Sequence, residues 1–191
     1  MFIGKYNISL LITYLGVAAS IAGINFAIGG NIKYSYVCLI AAGACDLFDG
    51  MFARMCKRGM EEKLFGVEAD TLADMVNFVA LPIAIFFSQG FTKWYHVIIY
   101  TLFALAAITR LGFFNMGAKK TEGPVKYYQG LPVTYVALIL PIVWVLTVHM
   151  FLYPAIHIIT ILLITALFVL NIKIAKPKGL AYLFFAVLAI A

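Results

Sequence analysis

Residues 34–55 read "YSYVCLIAAGACDLFDGMFARM", an apolar run long enough to cross a membrane that nevertheless carries two aspartates near its end. A carboxylate inside a membrane segment is costly and is usually retained for a function. Asp46 and Asp49 are three residues apart, so they share one face of a helix. The run therefore predicts a membrane helix that carries part of a functional site.

The rest of the chain has the same apolar character. Of its 191 residues, 64% are hydrophobic and 12% charged, and the mean hydropathy is +1.02. Soluble domains are about half apolar and a quarter charged. We therefore expect an all-α, polytopic transmembrane helix bundle that forms a single domain over residues 1–191. Three scattered cysteines without a CxxC pair argue against a disulfide framework or a zinc site.

Six apolar runs are close to the ~20 residues that a transmembrane helix needs. A further run begins at Leu180 and reaches Ala191. We therefore predict six complete spans and at least one further C-terminal span. The six runs cover residues 8–29, 34–55, 65–89, 94–116, 131–150 and 153–172.

The basic residues between these spans predict the orientation. Only Lys33 and Lys93 fall on one side of the membrane, and ten residues fall on the other, which the positive-inside rule makes cytoplasmic. The net charge of +6 thus indicates topology and attraction to anionic membrane lipid, and no nucleic-acid partner is expected. The ten are Lys5, Lys57, Arg58, Lys63, Lys119, Lys120, Lys126, Lys173, Lys176 and Lys178.

The remaining two aspartates, Asp70 and Asp74, lie near the cytoplasmic start of the third span. Because the second and third spans run antiparallel, all four carboxylates are expected at a similar depth. Such a group would repel itself unless cations neutralised it. An all-oxygen cluster favours Mg²⁺ or Mn²⁺, and two ions would suit four carboxylates. Carboxylates paired for packing alone, or an ion-transport site, are the alternatives.

Small residues flank these aspartates. Gly50 and Ala53 leave one face of the second helix open, and Gly66 does the same on the third. Small residues allow close helix packing in membranes, but beside carboxylates they also leave room for a bulky ligand. Arg54 adds a planar donor group suited to phosphate.

Two stretches, "DLFDGMFAR" and "GVEADTLAD", fit the pattern Asp-x2-Asp-Gly-x2-Ala-Arg followed by Gly-x3-Asp-x3-Asp. This pattern resembles the signature of the CDP-alcohol phosphotransferases. Three further stretches, "FGVEADTLADMVNFVALP", "RLGFFN" and "YYQGLPVTY", resemble the phosphatidylserine synthase branch of that family. The resemblance covers about residues 7–140.

The resemblance implies transfer of the phosphatidyl group of a CDP-linked lipid, CDP-diacylglycerol or CDP-archaeol, to L-serine with release of CMP. It also implies a homodimer. The aspartates lie near the cytoplasmic ends of their spans, so we expect an integral protein of the cell membrane with its active site facing the cytoplasm. Asp46, Asp49 and Asp70 would bind the two ions, and Asp74 would be the general base, a metal ligand or both. The residues implied in CDP binding are Asp46, Gly50, Ala53, Arg54, Gly66 and Thr13.

Serine carries a carboxylate that needs a cation, and two basic residues beside the branch-specific stretches could supply it. Arg110 and Lys126 are these candidates, and Asn77, Asn115 and Gln129 could hydrogen bond the amino acid. Transfer to glycerol phosphate or inositol phosphate is the alternative within the family. A divalent-cation transporter is the alternative from another class.

Overall fold

The computed structural model describes residues 4, 7–55, 59–120 and 127–175, which are mostly helical. The α-helices are α1 (Ile8–Ile28), α2 (Ile32–Met55), α3 (Met60–Met75), α4 (Leu81–Ser88), α5 (Trp94–Lys120), α6 (Val136–Thr147) and α7 (Tyr153–Val169). The other described elements are a π-helical segment (Val76–Ala80), a 3-10 helix (Val133–Tyr135) and two three-residue strands, β1 (Tyr127–Gln129) and β2 (Lys173–Ala175).

Among the described residues, four helical segments are long and apolar enough to cross a membrane, which confirms a helical membrane bundle. They are Ile8–Ile28, Ile32–Ala53, Met60–Ser88 and Trp94–Met116. The fifth and sixth predicted spans are shorter apolar helices, Val133–Thr147 and Tyr153–Val169. At 1.5 Å per residue the latter is about 26 Å long, less than the ~30 Å of the hydrocarbon core. The count of six complete spans therefore remains a prediction, and the run from Leu180 lies outside the described residues.

The third span is one continuous helix with a wider turn in its middle. Residues Val76–Ala80 are π-helical, and the amide of Leu81 donates to the carbonyl of Val76. Pro82 follows, and in a regular α-helix its ring would clash with the carbonyl four residues earlier. A π turn ahead of the proline therefore lets the chain continue as a helix. We call residues Val76–Ala80 the π turn.

Helix α1 packs along α2 and α3 through a face of small and polar residues. A Cβ atom added to Gly23 would stand 2.9 Å from the Cβ of Cys38, so only glycine allows α1 and α2 to approach this closely. Large apolar residues such as Leu15 and Ile21 point outward, as expected for a lipid-facing surface. The buried residues of α1 are Ser9, Leu10, Thr13, Gly16, Ser20, Gly23 and Ala27.

A short antiparallel ribbon accompanies the predicted all-α bundle. Tyr128 of β1 pairs with Ile174 of β2. Gly130 follows β1 with φ = 76°, and a Cβ there would stand 3.0 Å from the carbonyl oxygen of Phe168. The next amide, of Leu131, donates to Leu167 at 3.0 Å. The segment before α6 is thereby attached to the end of α7.

Candidate active site

Three aspartates from two helices form a carboxylate cluster. Asp46 and Asp49 lie one turn apart on α2, and Asp70 faces them from α3. One carboxylate oxygen from each lies within 4.8 Å of the others. The cluster contains only hard oxygen donors, which suit a divalent ion such as Mg²⁺ or Mn²⁺ better than zinc or copper. The residues present therefore fit the metal that the sequence predicts.

The fourth aspartate lies beside this cluster. Asp74 is one turn beyond Asp70 on α3 and is 8% exposed. Its carboxyl group lies beside that of Asp46, so the second and third spans approach each other at this pair. The structure thus brings all four predicted aspartates together at one end of the bundle.

Helix α1 supplies two hydroxyl groups to Asp49. The Oγ1 of Thr13 donates to the Oδ2 of Asp49 at 2.5 Å. One turn earlier, the Oγ of Ser9 donates to the backbone carbonyl of Asp49 at 3.1 Å. Because Asp49 is 5% exposed and Thr13 is 6% exposed, little water competes for these bonds. The direction of one carboxylate of the cluster is therefore fixed from a third helix.

A cleft opens beside Asp49 and Asp70, between α1, α2 and α3. It has about 420 Å³ of empty space, counting its open mouth. A Cβ atom added to Gly50 would meet nothing within 4 Å, so this glycine leaves space that a ligand can enter. The lining residues are Asn7, Ser9, Leu10, Thr13, Asp49, Gly50, Ala53, Gly66, Val67 and Asp70.

Four residues predicted to contact CDP thus lie in the cleft wall: Thr13, Gly50, Ala53 and Gly66. Arg54 belongs to α2, one residue beyond Ala53, but its side chain lies outside the described part of the structure.

Two of the predicted serine-binding residues lie on the second half of α5. The Nε of Arg110 donates to the carbonyl of Leu131 at 3.1 Å, and its guanidinium carbon lies 5.4 Å from the centre of the Phe114 ring. The Nδ2 of Asn115 donates to the Oγ1 of Thr71 at 2.8 Å, next to Asp70 in the chain. Asn115 therefore connects α5 to the helix that carries Asp70, and Arg110 connects α5 to the segment before α6.

The other predicted serine-binding residues have different positions. Asn77 is 3% exposed in the π turn, and its Oδ1 accepts a hydrogen bond of 2.7 Å from the Oγ of Ser20. This contact directs its amide oxygen toward α1. Lys126 lies outside the described residues, and for Gln129 the description covers the backbone in β1 and not the side chain.

Three polar residues of this region were missed by the sequence reasoning. Asn7 caps α1 by accepting the amide of Leu10 at 2.9 Å and also lines the cleft. Ser9 and Ser20 face α2 and the π turn. The signal for Ser9 and Ser20 is their spacing from Thr13, four and seven residues in an otherwise apolar helix, which places all three on the same buried face.

The amino-acid sequence of this chain is similar to those of known proteins. The model of the CDP-alcohol phosphatidyltransferase family matches residues 6–188. A CDP-diacylglycerol–serine O-phosphatidyltransferase of Saccharomyces cerevisiae is 34% identical over 142 residues, which are 70% of this chain and 50% of that protein.

More distant relatives carry similar names. A CDP-diacylglycerol–serine O-phosphatidyltransferase of Mycobacterium tuberculosis is 27% identical over 63% of this chain and 42% of its own length. An archaetidylserine synthase of Methanothermobacter thermautotrophicus is 26% identical over 66% of this chain and 53% of its own length. The chain therefore spans about half the length of the curated relatives it matches. Since the family match extends over nearly all of its residues, this chain belongs to the CDP-alcohol phosphatidyltransferase family.

Proposed function

We propose that this chain transfers the phosphatidyl group of a CDP-linked lipid to the hydroxyl group of L-serine and releases CMP. The product is phosphatidylserine, or its archaeal equivalent when the donor is CDP-archaeol. The names of the relatives support serine rather than glycerol phosphate or inositol phosphate as the acceptor, and they do not favour an ion transporter.

One observation carries the proposal. Three carboxylates from two helices lie within 4.8 Å of one another at the edge of a cleft that small residues keep open. A pyrophosphate is strongly anionic, so a carboxylate cluster can bind it only through cations. The combination of carboxylates and an open cleft therefore supports a metal-assisted transfer at phosphorus.

In this proposal Asp46, Asp49 and Asp70 hold two divalent ions, Mg²⁺ or Mn²⁺, to which Asp74 can add a ligand. Bound there, the ions would neutralise the pyrophosphate oxygens and stabilise the departing CMP. Asp49 reaches the cleft with its carboxylate held by Thr13, so its orientation is set before substrate arrives.

Asp74 is proposed as the general base that accepts the proton of the serine hydroxyl. It lies beside Asp46 and has little contact with bulk water. This suits a base that exchanges a proton with the substrate rather than with solvent. Transfer of that proton leaves the serine oxygen free to attack phosphorus. No covalent enzyme intermediate is required, because the alcohol and the phosphatidyl group can react directly.

The cleft is proposed to receive the CDP group. Gly50, Ala53 and Gly66 give its walls little bulk, which suits the approach of a planar base. Arg54 is proposed to contact a phosphate, as the family motif implies. The hydroxyl of Thr13 is engaged by Asp49, so we propose that Thr13 acts on CDP by orienting that carboxylate.

The serine carboxylate is proposed to bind Arg110, a buried cation of α5 whose Nε donates to the carbonyl of Leu131. Asn115 lies on the same helix and contacts Thr71 beside Asp70, which would bring a bound amino acid close to the cluster. Lys126 and Gln129 are retained as further candidates on the basis of the family resemblance.

We further propose that residues 1–191 form one domain in the cell membrane, with the site facing the cytoplasm. The excess of basic residues on that side supports the orientation. The family resemblance supports a homodimer.

The test is a measurement of CMP release from CDP-diacylglycerol and CDP-archaeol in detergent micelles. Serine, glycerol phosphate and inositol phosphate are supplied in turn, each with Mg²⁺, with Mn²⁺ or with EDTA. We expect CMP only when serine and a divalent ion are both present. Faster release with another alcohol would overturn the assignment of the acceptor, and unchanged release in EDTA would overturn the metal-assisted reaction.

A further inference from the structure

The third span presents one buried face from the carboxylate cluster to the far side of the bundle. Its buried residues follow one another in steps of four, from the pair Ala73 and Asp74 to the pair Ile85 and Phe86. The same helix face thus carries a residue of the active site and the largest side chains of the core. The members of this face are Ala73, Asp74, Asn77, Phe78, Leu81, Pro82, Ile85 and Phe86.

A regular α-helix could not keep these residues on one face. It turns by about 100° per residue, so each step of four overshoots a full turn by about 40°. Over the three steps from Asp74 to Phe86 the overshoot reaches about 120°, enough to rotate one end away from the core. A π turn has more residues per turn and reduces the drift. The π turn therefore lets Asp74 and Phe86 face inward together.

One polar contact holds the π turn against α1. The Oγ of Ser20 donates to the Oδ1 of Asn77 at 2.7 Å, and both side chains are fully or almost fully buried. A Cβ atom on Gly16 would stand 3.3 Å from the Nδ2 of Asn77, so the amide lies in a notch between Gly16 and Ser20. No water competes for such a contact inside the membrane.

We propose that Ser20 and Asn77 are positioning residues, which fix the π turn and thereby the direction of Asp74 toward Asp46. The inference rests on the proposed function for its effect on turnover, but its structural part does not depend on the acceptor. It assigns Asn77 a role different from contact with serine. Neither residue touches the reacting atoms; they act through the helix that carries Asp74.

The first test compares two serine-to-alanine variants. Ser20→Ala removes the donor to Asn77, and Ser35→Ala removes a similarly buried hydroxyl that joins α2 to the carbonyl of Gly23. We expect Ser20→Ala to lower kcat for CMP release roughly three- to tenfold, because small displacements of a catalytic group are costly. The KM for the CDP-lipid should stay within about twofold, since the cleft is untouched. Ser35→Ala should keep the wild-type kcat.

A double variant tests whether the pair acts as a unit. If Ser20 works through Asn77, the combination of Ser20→Ala and Asn77→Ala should lower kcat no more than Asn77→Ala alone. Fully additive losses would overturn the proposed pair. A higher KM for serine with unchanged kcat in Asn77→Ala would instead favour direct contact between Asn77 and serine.

Hydrogen–deuterium exchange of peptides that cover Val76–Leu81 provides a readout independent of the acceptor. We expect these peptides to exchange faster than in the wild type in Ser20→Ala and at the wild-type rate in Ser35→Ala, because only Ser20→Ala loosens the π turn. Equal exchange in both variants would overturn the structural role. Faster exchange with wild-type kcat would overturn the link to Asp74. If the wild-type protein released no CMP with serine, the proposed function would fail while the exchange data still decided the role of the pair.

Discussion

Replacement of Thr13 by valine should weaken metal binding without disturbing the fold. Valine has nearly the same shape as threonine but cannot donate a hydrogen bond. In the structure the Oγ1 of Thr13 donates to the Oδ2 of Asp49 at 2.5 Å in a buried environment. Without that donor the carboxylate of Asp49 is held less firmly in its direction, and a metal ion must reorient it on binding.

The expected size of the effect follows from this bond. A hydrogen bond to a charged group contributes about 1.5–3 kcal/mol, which corresponds to roughly 10- to 100-fold in affinity. Loss of residues that orient metal ligands usually falls in the same range. The bond from Thr13 to Asp49 exists before an ion binds, so its full free energy does not enter the binding affinity. What the variant loses is the orientation of the Asp49 carboxylate toward the ion. We therefore expect the lower end, an approximately tenfold weaker affinity for Mn²⁺.

The assay is a titration of the protein with Mn²⁺ in which the electron paramagnetic resonance signal reports the concentration of free ion. The Mn²⁺ dependence of CMP release is measured alongside it. Thr13→Ser retains the hydroxyl and should bind like the wild type. Thr101→Val makes the same change at an exposed residue whose hydroxyl bonds within its own helix, and should also have no effect. Wild-type Mn²⁺ affinity in Thr13→Val, or an equal loss in Thr13→Ser, would refute the orienting role.

Three further changes test the proposed roles. Asp70→Asn should lower CMP release about 10²- to 10³-fold by removing a charged ligand. Glu68→Gln, which lies outside the cluster, should retain activity. A loss of kcat in Glu68→Gln comparable to that in Asp70→Asn would contradict the assignment. Gly50→Leu should raise the KM for the CDP-lipid without lowering the melting temperature, because the cleft has space there; an unchanged KM would exclude this wall from the CDP site. Arg110→Lys should raise the KM for serine about tenfold, since lysine cannot bind a carboxylate through two parallel bonds. A lower melting temperature with unchanged KM would show that Arg110 serves only the structural contact with Leu131 and does not bind serine.

The sequence predicted the carboxylate cluster because its determinants are local. Asp46 and Asp49 share a helix face by their spacing. The charged stretch of sequence between the two predicted spans is short, so the next helix is expected to run antiparallel and to bring Asp70 to the same level. The apolar runs likewise predicted the first four membrane helices to within a few residues, apart from the start of the third.

Contacts between distant segments were not predictable in the same way. The bond from Thr13 to Asp49 joins residues 36 positions apart, and the packing angle of α1 decides which of its polar residues reaches the cluster. The π turn precedes Pro82 and lies against the notch beside Gly16, and neither sequence feature alone predicts it. The ribbon escaped prediction because strands of three residues have no readable periodicity.

The carboxylate cluster is tested most directly by counting the Mn²⁺ ions that the purified protein binds in detergent. The wild type should bind two ions per chain at the cluster. The triple variant Asp46→Asn, Asp49→Asn and Asp70→Asn should bind neither while it retains the helical circular dichroism of the wild type. Two bound ions in the folded triple variant would place the metal elsewhere and contradict the proposed active site.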